Sequence, residues 1–353
     1  MIYNHIMVFF ITLLVLSLLR RAAPRLGLMD TPGAHHYHDR PTPMVGGLAI
    51  FTAFFFGVLL ADVPLNSLRP LFLGCGILVL VGVLDDVHQL SSLARFAAQI
   101  VAALVMAWFG DVILLDLGNL VGAGVVELGD LAVPITVFAT VGVINAMNMS
   151  DGMDGLAGGL FLVAFGALAW VSLGSGVVTD TAMLTLVIIS ITCFLLFNAR
   201  FGLRPRASVF LGDAGSMFLG FMLSWFLIQF SQQPVRLIDP VTALWLMAVP
   251  LVDTVTVMIR RMVFGRSPFK ADRTHLHHLL QHAGLGVDQS LAVILATAVA
   301  AVAAGLTMEH LQWSEPLRFA LFMTWFALHA ALTHRYIVRH GLAGSQEPPR
   351  STS

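Results

Sequence analysis

Charge is what this sequence has least of. Only 11% of its 353 residues are Asp, Glu, Lys or Arg, where a soluble domain carries about 25%. The hydrophobic share is 58% and the mean hydropathy is +0.86. A water-soluble fold is thereby excluded, and the chain reads as an integral membrane protein built mostly of spans. Cysteine is almost missing: Cys75 and Cys193 both lie inside apolar runs, which supports neither a disulfide framework nor a Cys-based zinc site. The net charge is −1, so no basic domain exists to hold a nucleic-acid backbone. Residues 6–19 are apolar but lack a basic segment before them, and Arg20 and Arg21 follow where a small-residue cleavage site would stand. That segment reads as a first span rather than a cleavable leader. Internal repeats are also missing, so an inverted-repeat transporter is not signalled.

What is present is a series of apolar windows. Taken at spanning length they predict an all-α integral membrane protein of about eleven transmembrane helices, centred near residues 11, 54, 76, 101, 139, 164, 189, 222, 248, 297 and 325. The connections alternate between long polar ones (20–45, 85–95, 146–157, 198–215, 260–287 and the tail from 335) and short ones. All of the 19 Lys and Arg residues except Arg69, Arg236 and Arg318 fall in the polar set. The positive-inside rule therefore predicts the N-terminus outside and the C-terminus inside. Residues 112–131, on the outer side, alternate in hydropathy around Gly122 and Gly124 and predict a small periplasmic β-hairpin. Residues 1–335 read as one polytopic catalytic domain, and 336–353 as a cytoplasmic tail, rich in Pro, Ser and Gln from 341 and expected to be disordered.

Four polar motifs interrupt the apolar pattern, all on the predicted cytoplasmic side. In Asn145-Ala-Met-Asn148-Met-Ser-Asp151-Gly-Met-Asp154-Gly the residues Asn148, Asp151 and Asp154 are spaced i, i+3, i+6. A helical turn would bring them near one face, and oxygen ligands on one face suit a hard cation such as Mg²⁺. The plainer alternative is a polar helix end with glycines for close packing. Asp85-Asp86 close the third span, where two acids oppose the helix dipole unless a cation or a proton transfer offsets them; an ordinary acid pair at the membrane edge is the alternative. Phe210-Leu-Gly-Asp213-Ala-Gly-Ser216 opens a span with glycines beside the acid, after a basic run that includes Asn198, Arg200, Arg204 and Arg206. Such a start can present backbone N–H groups to an anion. Lys270-Ala-Asp-Arg273-Thr-His275-Leu-His277-His278 offers a cationic or hydrogen-bonding cluster suited to phosphate oxygens. His35, His36 and His38, bracketed by Pro32 and Pro41, match no common metal spacing and read as solvated loop histidines. Carboxylates and an amide for Mg²⁺, with Arg and His for phosphate, are the equipment of phosphoryl transfer.

Asp85-Asp86, Asn145-x-x-Asn148-x-x-Asp151-Gly-x-Asp154-Gly-Leu, Phe210-x-Gly-Asp213-x-Gly-Ser and His275-x-His277-His278, in that order, resemble the polyprenyl-phosphate N-acetylhexosamine-1-phosphate transferase family (glycosyltransferase family 4). The resemblance covers about residues 25–280. The His-x-His-His form, Gly27-Leu-Met-Asp-Thr-Pro with Pro43-x-x-Gly-Gly47, and the span count look most like the branch that joins GlcNAc-1-phosphate to undecaprenyl phosphate. The resemblance implies a bacterial inner-membrane enzyme facing the cytoplasm, with UDP-N-acetylhexosamine, undecaprenyl phosphate and membrane lipid as partners, and self-association into a homodimer left open. It implies that UDP-GlcNAc and undecaprenyl phosphate give undecaprenyl-diphospho-GlcNAc and UMP, with Mg²⁺ or Mn²⁺ required, as the first membrane step of a cell-surface polysaccharide such as O-antigen. Carried over by position, Asp213 and Asn148 ligate the metal, and Asp85 or Asp86 handles the acceptor phosphate as base or positioner. Asp151 and Asp154 shape the nucleotide and metal site, Asn198 lies close to the nucleotide, and Arg273, His275, His277 and His278 hold phosphate oxygens. Two departures stand out. Gln89 occupies a place where many relatives carry a third Asp, and Leu93 one where many carry a basic residue, with Arg95 two positions on as a substitute. Alternatives are the same chemistry on another UDP-N-acetylhexosamine, UDP-MurNAc-pentapeptide included, and, from another class, an ion-coupled transporter.

Overall fold

The structure, a computed structural model, describes residues 2–30, 41–61, 63–200, 205–267 and 272–342. Its helices are α1 (Ile2–Leu26), α2 (Gly46–Leu60), α3 (Leu65–His88), α4 (Ser92–Gly110), α5 (Ala132–Met149), α6 (Leu156–Ser172) and α7 (Val178–Asn198), then α8 (Gly212–Ser231), α9 (Pro240–Leu246), α10 (Ala248–Val263), α11 (Leu276–His282), α12 (Val287–His310) and α13 (Glu315–Arg339). Each predicted span centre lies in or beside one of these helices. Seven helices among the described residues are long and apolar enough to cross a membrane, or eight if α9 and α10, bent by 83° at their junction, count as one. That is a multi-pass architecture with fewer full-length crossings than the apolar windows predict. The difference has a simple origin. Helices α2 and α6 have only 15 and 17 residues, short of the roughly 20 a bilayer core requires, and α13 interrupts its apolar residues with Arg318, His329, His334 and Arg335.

Helix α8 is the axis of the bundle, with 94% of its apolar window buried. Neighbouring helices reach it through glycine. A Cβ added at Gly47 of α2 would lie 2.1 Å from the Gly215 Cα, and one at Gly82 of α3 would lie 2.3 Å from the Ala214 Cα. Contacts this close let backbones gain dispersion energy where lipid supplies no hydrophobic drive between helices. Phe218, Phe221, Phe226 and Phe230 of α8 are fully buried against the surrounding helices. The helix-end glycines at positions 47, 82 and 215 all sit near one end of α8, and that is the end where the polar motifs collect.

Residues 112–131 form less than the predicted hairpin. One antiparallel bridge joins Asp116 and Glu127, flanked by Leu117 N–H to Val126 O at 3.0 Å and Leu128 N–H to Leu115 O at 2.9 Å. The two-stranded sheet lies elsewhere, pairing β1 (Met29–Asp30) with β2 (Thr42–Pro43) antiparallel. Side chains hold the 112–131 segment in place of a ladder. Arg236 donates to both Asp116 oxygens at 2.6 and 2.7 Å, and the Gln232 Oε1 accepts from the N–H groups of Leu115 and Asp116. Beside them, buried Arg318 of α13 joins Asp239 and donates to Thr242 at 2.9 Å.

Candidate active site

The carboxylates begin where α3 ends. Asp85 is buried and accepts from Leu90 N–H at 2.6 Å and from Arg95 Nη1 at 3.0 Å. Gln89, in the left-handed region at φ 51°, ends α3 and turns the chain so that Leu90 and Arg95 fold back onto Asp85. The same Arg95 Nη1 lies 3.6 Å from Asp213 Oδ2, so one guanidinium spans two of the acids. Asp86 points to the start of α8, where its oxygens accept from Asp213 N–H at 2.9 Å and Ala214 N–H at 3.4 Å. It thus satisfies first-turn donors that a helix leaves open. Gly212, at φ +74°, permits the approach: a Cβ there would lie 2.7 Å from Asp86 Oδ2. Asn148, in the last turn of α5, donates to Asp213 Oδ1 at 2.6 Å and to Ser216 Oγ at 2.7 Å.

The loop between α5 and α6 adds two more acids with different fates. Asp154 is taken up by the protein, accepting from Arg200 Nε at 2.7 Å and Ala207 N–H at 2.9 Å. Asn198 closes the same corner, accepting from Gly155 N–H at 2.8 Å and donating to Val209 O at 2.9 Å. Asp151 has no such partner among the described residues. Burial, then the neighbouring Asp213 and Asp154 charges, push its carboxyl up to about 7. A carboxylate facing only like charges is the group in this site that most needs a cation.

The histidine motif sits over that loop. His275 immediately precedes α11, and His277 lies so close to Gly152 that a Cβ there would be 2.6 Å from the His277 Nε2. The His277 and His278 rings are 4.0 Å apart by centroid, and His275 stacks on His277 at 6.1 Å. Burial, reinforced by the other two histidines, pushes His277 down to about 3; burial also lowers His278, helped by His275 and Arg273. His277 is therefore a neutral hydrogen-bonding group at physiological pH, not a cation. Just upstream, Arg261 donates to Asp272 Oδ2 at 2.7 Å and to Ser267 O at 2.6 Å. Arg273 has contacts of its own and contributes charge to the histidine cluster.

The structure gathers the sequence-predicted residues Asp85, Asp86, Asn148 and Asp213 into one contact set, and Asp151 and the histidines border it through Asp213 and Gly152. Asp154 and Asn198 sit at the edge, where their hydrogen bonds tie the loop between α5 and α6 to the end of α7 and the segment before α8. His35, His36, His38, Arg204 and Lys270 lie outside the described residues. Among the described residues no three His, Cys, Asp or Glu side chains converge on a single metal position. The donor set still fits Mg²⁺: the carboxylates of Asp213 and Asp151 and the amide oxygen of Asn148, whose nitrogen is turned to Asp213 and Ser216, are oxygen ligands, the preference of a hard cation that keeps waters and takes its other ligands from substrate phosphate.

Two features of the candidate site escaped the sequence reading. Arg95 appeared there only as a substitute for a missing basic residue, yet it bridges Asp85 and Asp213. Asp253, inside the apolar run of α10, carries the His275 ring, with His275 Nδ1 at 2.8 Å from its Oδ2 and Leu276 N–H at 2.9 Å from its Oδ1. An acid within a span is itself a signal of function, and that signal was available.

Residues 68–231 match glycosyl transferase family 4. The chain is 36% identical over 328 residues to the undecaprenyl-phosphate alpha-N-acetylglucosaminyl 1-phosphate transferase of Escherichia coli K12, across 92% of this chain and 88% of that protein. It is 36% identical over 326 residues to the protein of that name in Yersinia pestis, across 92% and 89%. With the Haemophilus influenzae protein of that name it shares 35% over 330 residues, across 93% and 92%.

Proposed function

This chain is a member of glycosyl transferase family 4, and from that premise we propose that it transfers GlcNAc-1-phosphate from UDP-GlcNAc to undecaprenyl phosphate. The products are undecaprenyl-diphospho-GlcNAc and UMP. One observation carries the reading: Asp85, Asp86, Asn148 and Asp213 meet at one end of an apolar bundle beside Asp151, unpartnered among the described residues, and a histidine cluster, in a chain alike over 92% of its length to transferases bearing that name.

An oxygen of the lipid phosphate attacks the β-phosphorus of the nucleotide sugar. The bond from that phosphorus to the bridging oxygen breaks, and its electron pair leaves with UMP. A phosphate monoester with a second pKa near 6 is mostly dianionic at neutral pH, so no side chain has to serve as nucleophile. Asp213, Asn148 and Asp151 would hold Mg²⁺ or Mn²⁺, which when bound supplies positive charge to the diphosphate oxygens. Arg95, held between Asp85 and Asp213 with a third of its side chain exposed, offers a fixed donor to a phosphate oxygen. Asp85 orients that arginine, and Asp86 fixes the start of α8, so both act on the reacting phosphates through the groups they hold. Neutral His277 and its neighbours, with Arg273, add donors where charge develops, while Asp154 and Asn198 shape the nucleotide side of the site. The excess of Arg at this end supports a cytoplasmic face in the bacterial inner membrane, where both a soluble nucleotide sugar and a lipid phosphate could reach it.

The test follows the sugar. With the GlcNAc moiety of UDP-GlcNAc radiolabelled, purified protein in detergent with undecaprenyl phosphate and Mg²⁺ is expected to move label into the organic phase. UDP-GalNAc and UDP-MurNAc-pentapeptide are expected to transfer poorly. Label that stays aqueous with a well-folded preparation would refute the reading, and preferred transfer from another sugar would reassign the donor.

A further inference from the structure

We infer that Asp253 is a positioning residue for the histidine motif, fixing which nitrogen of His275 carries the proton and how α11 is presented to the site. The inference rests on the transferase reading above. Asp253 belongs to α10, whose Arg260 and Arg261 hold the stretch before the histidines at Thr274 O and Asp272, and it is buried at 8% exposure, as is His275 at 7%. Its two oxygens are divided between the ring and the backbone of one short stretch: Oδ2 faces His275 Nδ1 at 2.8 Å, and Oδ1 accepts Leu276 N–H at 2.9 Å. His329 of α13 closes the other side, its Nε2 3.7 Å from Oδ1 and without a hydrogen bond. A carboxylate ringed by donors can only accept. The proton on His275 therefore sits on Nδ1, and Nε2, on the far edge of the ring, is left free of it when the ring is neutral. His275 is the residue just before α11, so the same two bonds set where His277 and His278 begin. The arrangement matches the general pattern in which a carboxylate behind a functional histidine fixes its tautomer and ring plane.

The contacts of this acid say what offsets its cost. A lone carboxylate in a spanning helix is expensive, and Asp253 touches neither the carboxylate cluster nor α8. Among the described residues its hydrogen bonds go to the His275 ring and the Leu276 N–H, both in the histidine stretch, with His329 3.7 Å away.

Two measurements decide it. In protein labelled with ¹⁵N-histidine, the ring correlations lost in His275→Gln are expected to show the Nδ1–H form in the unmodified chain. Finding His275 in the Nε2–H form would overturn the inference, without reference to activity. In the transfer assay, Asp253→Asn keeps the shape but presents an amide N–H to the ring. It is expected to lower kcat by about 10–100-fold with KM for UDP-GlcNAc nearly unchanged. Placed on His275→Gln, the same substitution is expected to cost less than about threefold more, because its target is already gone. Losses that multiply would mean that Asp253 acts by another route and would overturn the inference. If the unmodified protein transferred no sugar, the function would fall while the ring measurement still judged Asp253.

Discussion

At the scale of the residue, the site is a balance of like charges. Asp213 receives Asn148 and stands within ion-pair reach of Arg95, while among the described residues Asp151 has no hydrogen-bond partner and the charges that raise it are Asp213 and Asp154. Asp213→Asn is expected to cost at least about 100-fold in turnover with the melting temperature preserved; wild-type turnover would remove Asp213 from the metal site. Asp151→Asn should separate stability from activity. The folded carboxyl titrates near 7, above its ordinary value near 4. The stability linked to this group is therefore full below about pH 4 and is lost as pH rises through 7. In chelator at pH 8 the variant is expected to melt higher than wild type by roughly 2–4 °C, a gap that closes as pH falls to about 4, while activity is abolished. The acids of this site were legible in the sequence because a charged residue among apolar ones declares itself. Their division of labour was not. Asp86 and Asp154 carry the same carboxylate as Asp213, and only the fold shows that backbone N–H groups and Arg200 occupy them.

At the scale of the element, helices are brought to the site by glycine and held there by single polar clips. Gly47→Ala is expected to be severely destabilising, because the new methyl would meet the Gly215 backbone at 2.1 Å and neither helix can yield without moving the other. Detergent melting and the monodisperse yield after extraction check it. Burial of His277 gives the opposite pH signature to Asp151. With the ring near 3 in the fold against about 6.5 free, its stabilisation is present above pH 6.5 and is lost as pH falls towards 3. His277→Gln is expected to flatten the fall in melting temperature between pH 7 and 5; an unchanged slope would mean the ring is not buried neutral. Most helices were legible, since the eleven apolar windows fall on eleven of the thirteen described helices, but α9 has no window of its own and α11 lies in the stretch read as a polar connection. Helix length and continuity were not, because hydropathy averages over a break such as the 83° bend between α9 and α10. The weak link at 112–131 has a related cause: alternation predicts strands, but Gln232 and Arg236 answer the backbone and carboxylate there instead of a second strand.

At the scale of the whole molecule, two polar ends face opposite ways along an apolar bundle. One holds the acids and histidines; the other is the clamp of Asp116, Arg236, Asp239 and Arg318. The charge bias predicts the first end inside the cell. In intact cells Ala123→Cys is expected to react with a membrane-impermeant thiol reagent and Ser92→Cys only after permeabilisation, with Cys75 and Cys193 silent because both are buried. The reverse pattern would invert the orientation and put the site beyond reach of a cytoplasmic nucleotide sugar. The central claim is that this end of the bundle joins a nucleotide sugar to a lipid phosphate with a divalent cation. Its most direct test is UMP release by the purified protein with UDP-GlcNAc, undecaprenyl phosphate and Mg²⁺, each withheld in turn. UMP that appears only when all three are present is the expected result. UMP released without the lipid phosphate, or none from the complete mixture by a folded preparation, would contradict the account.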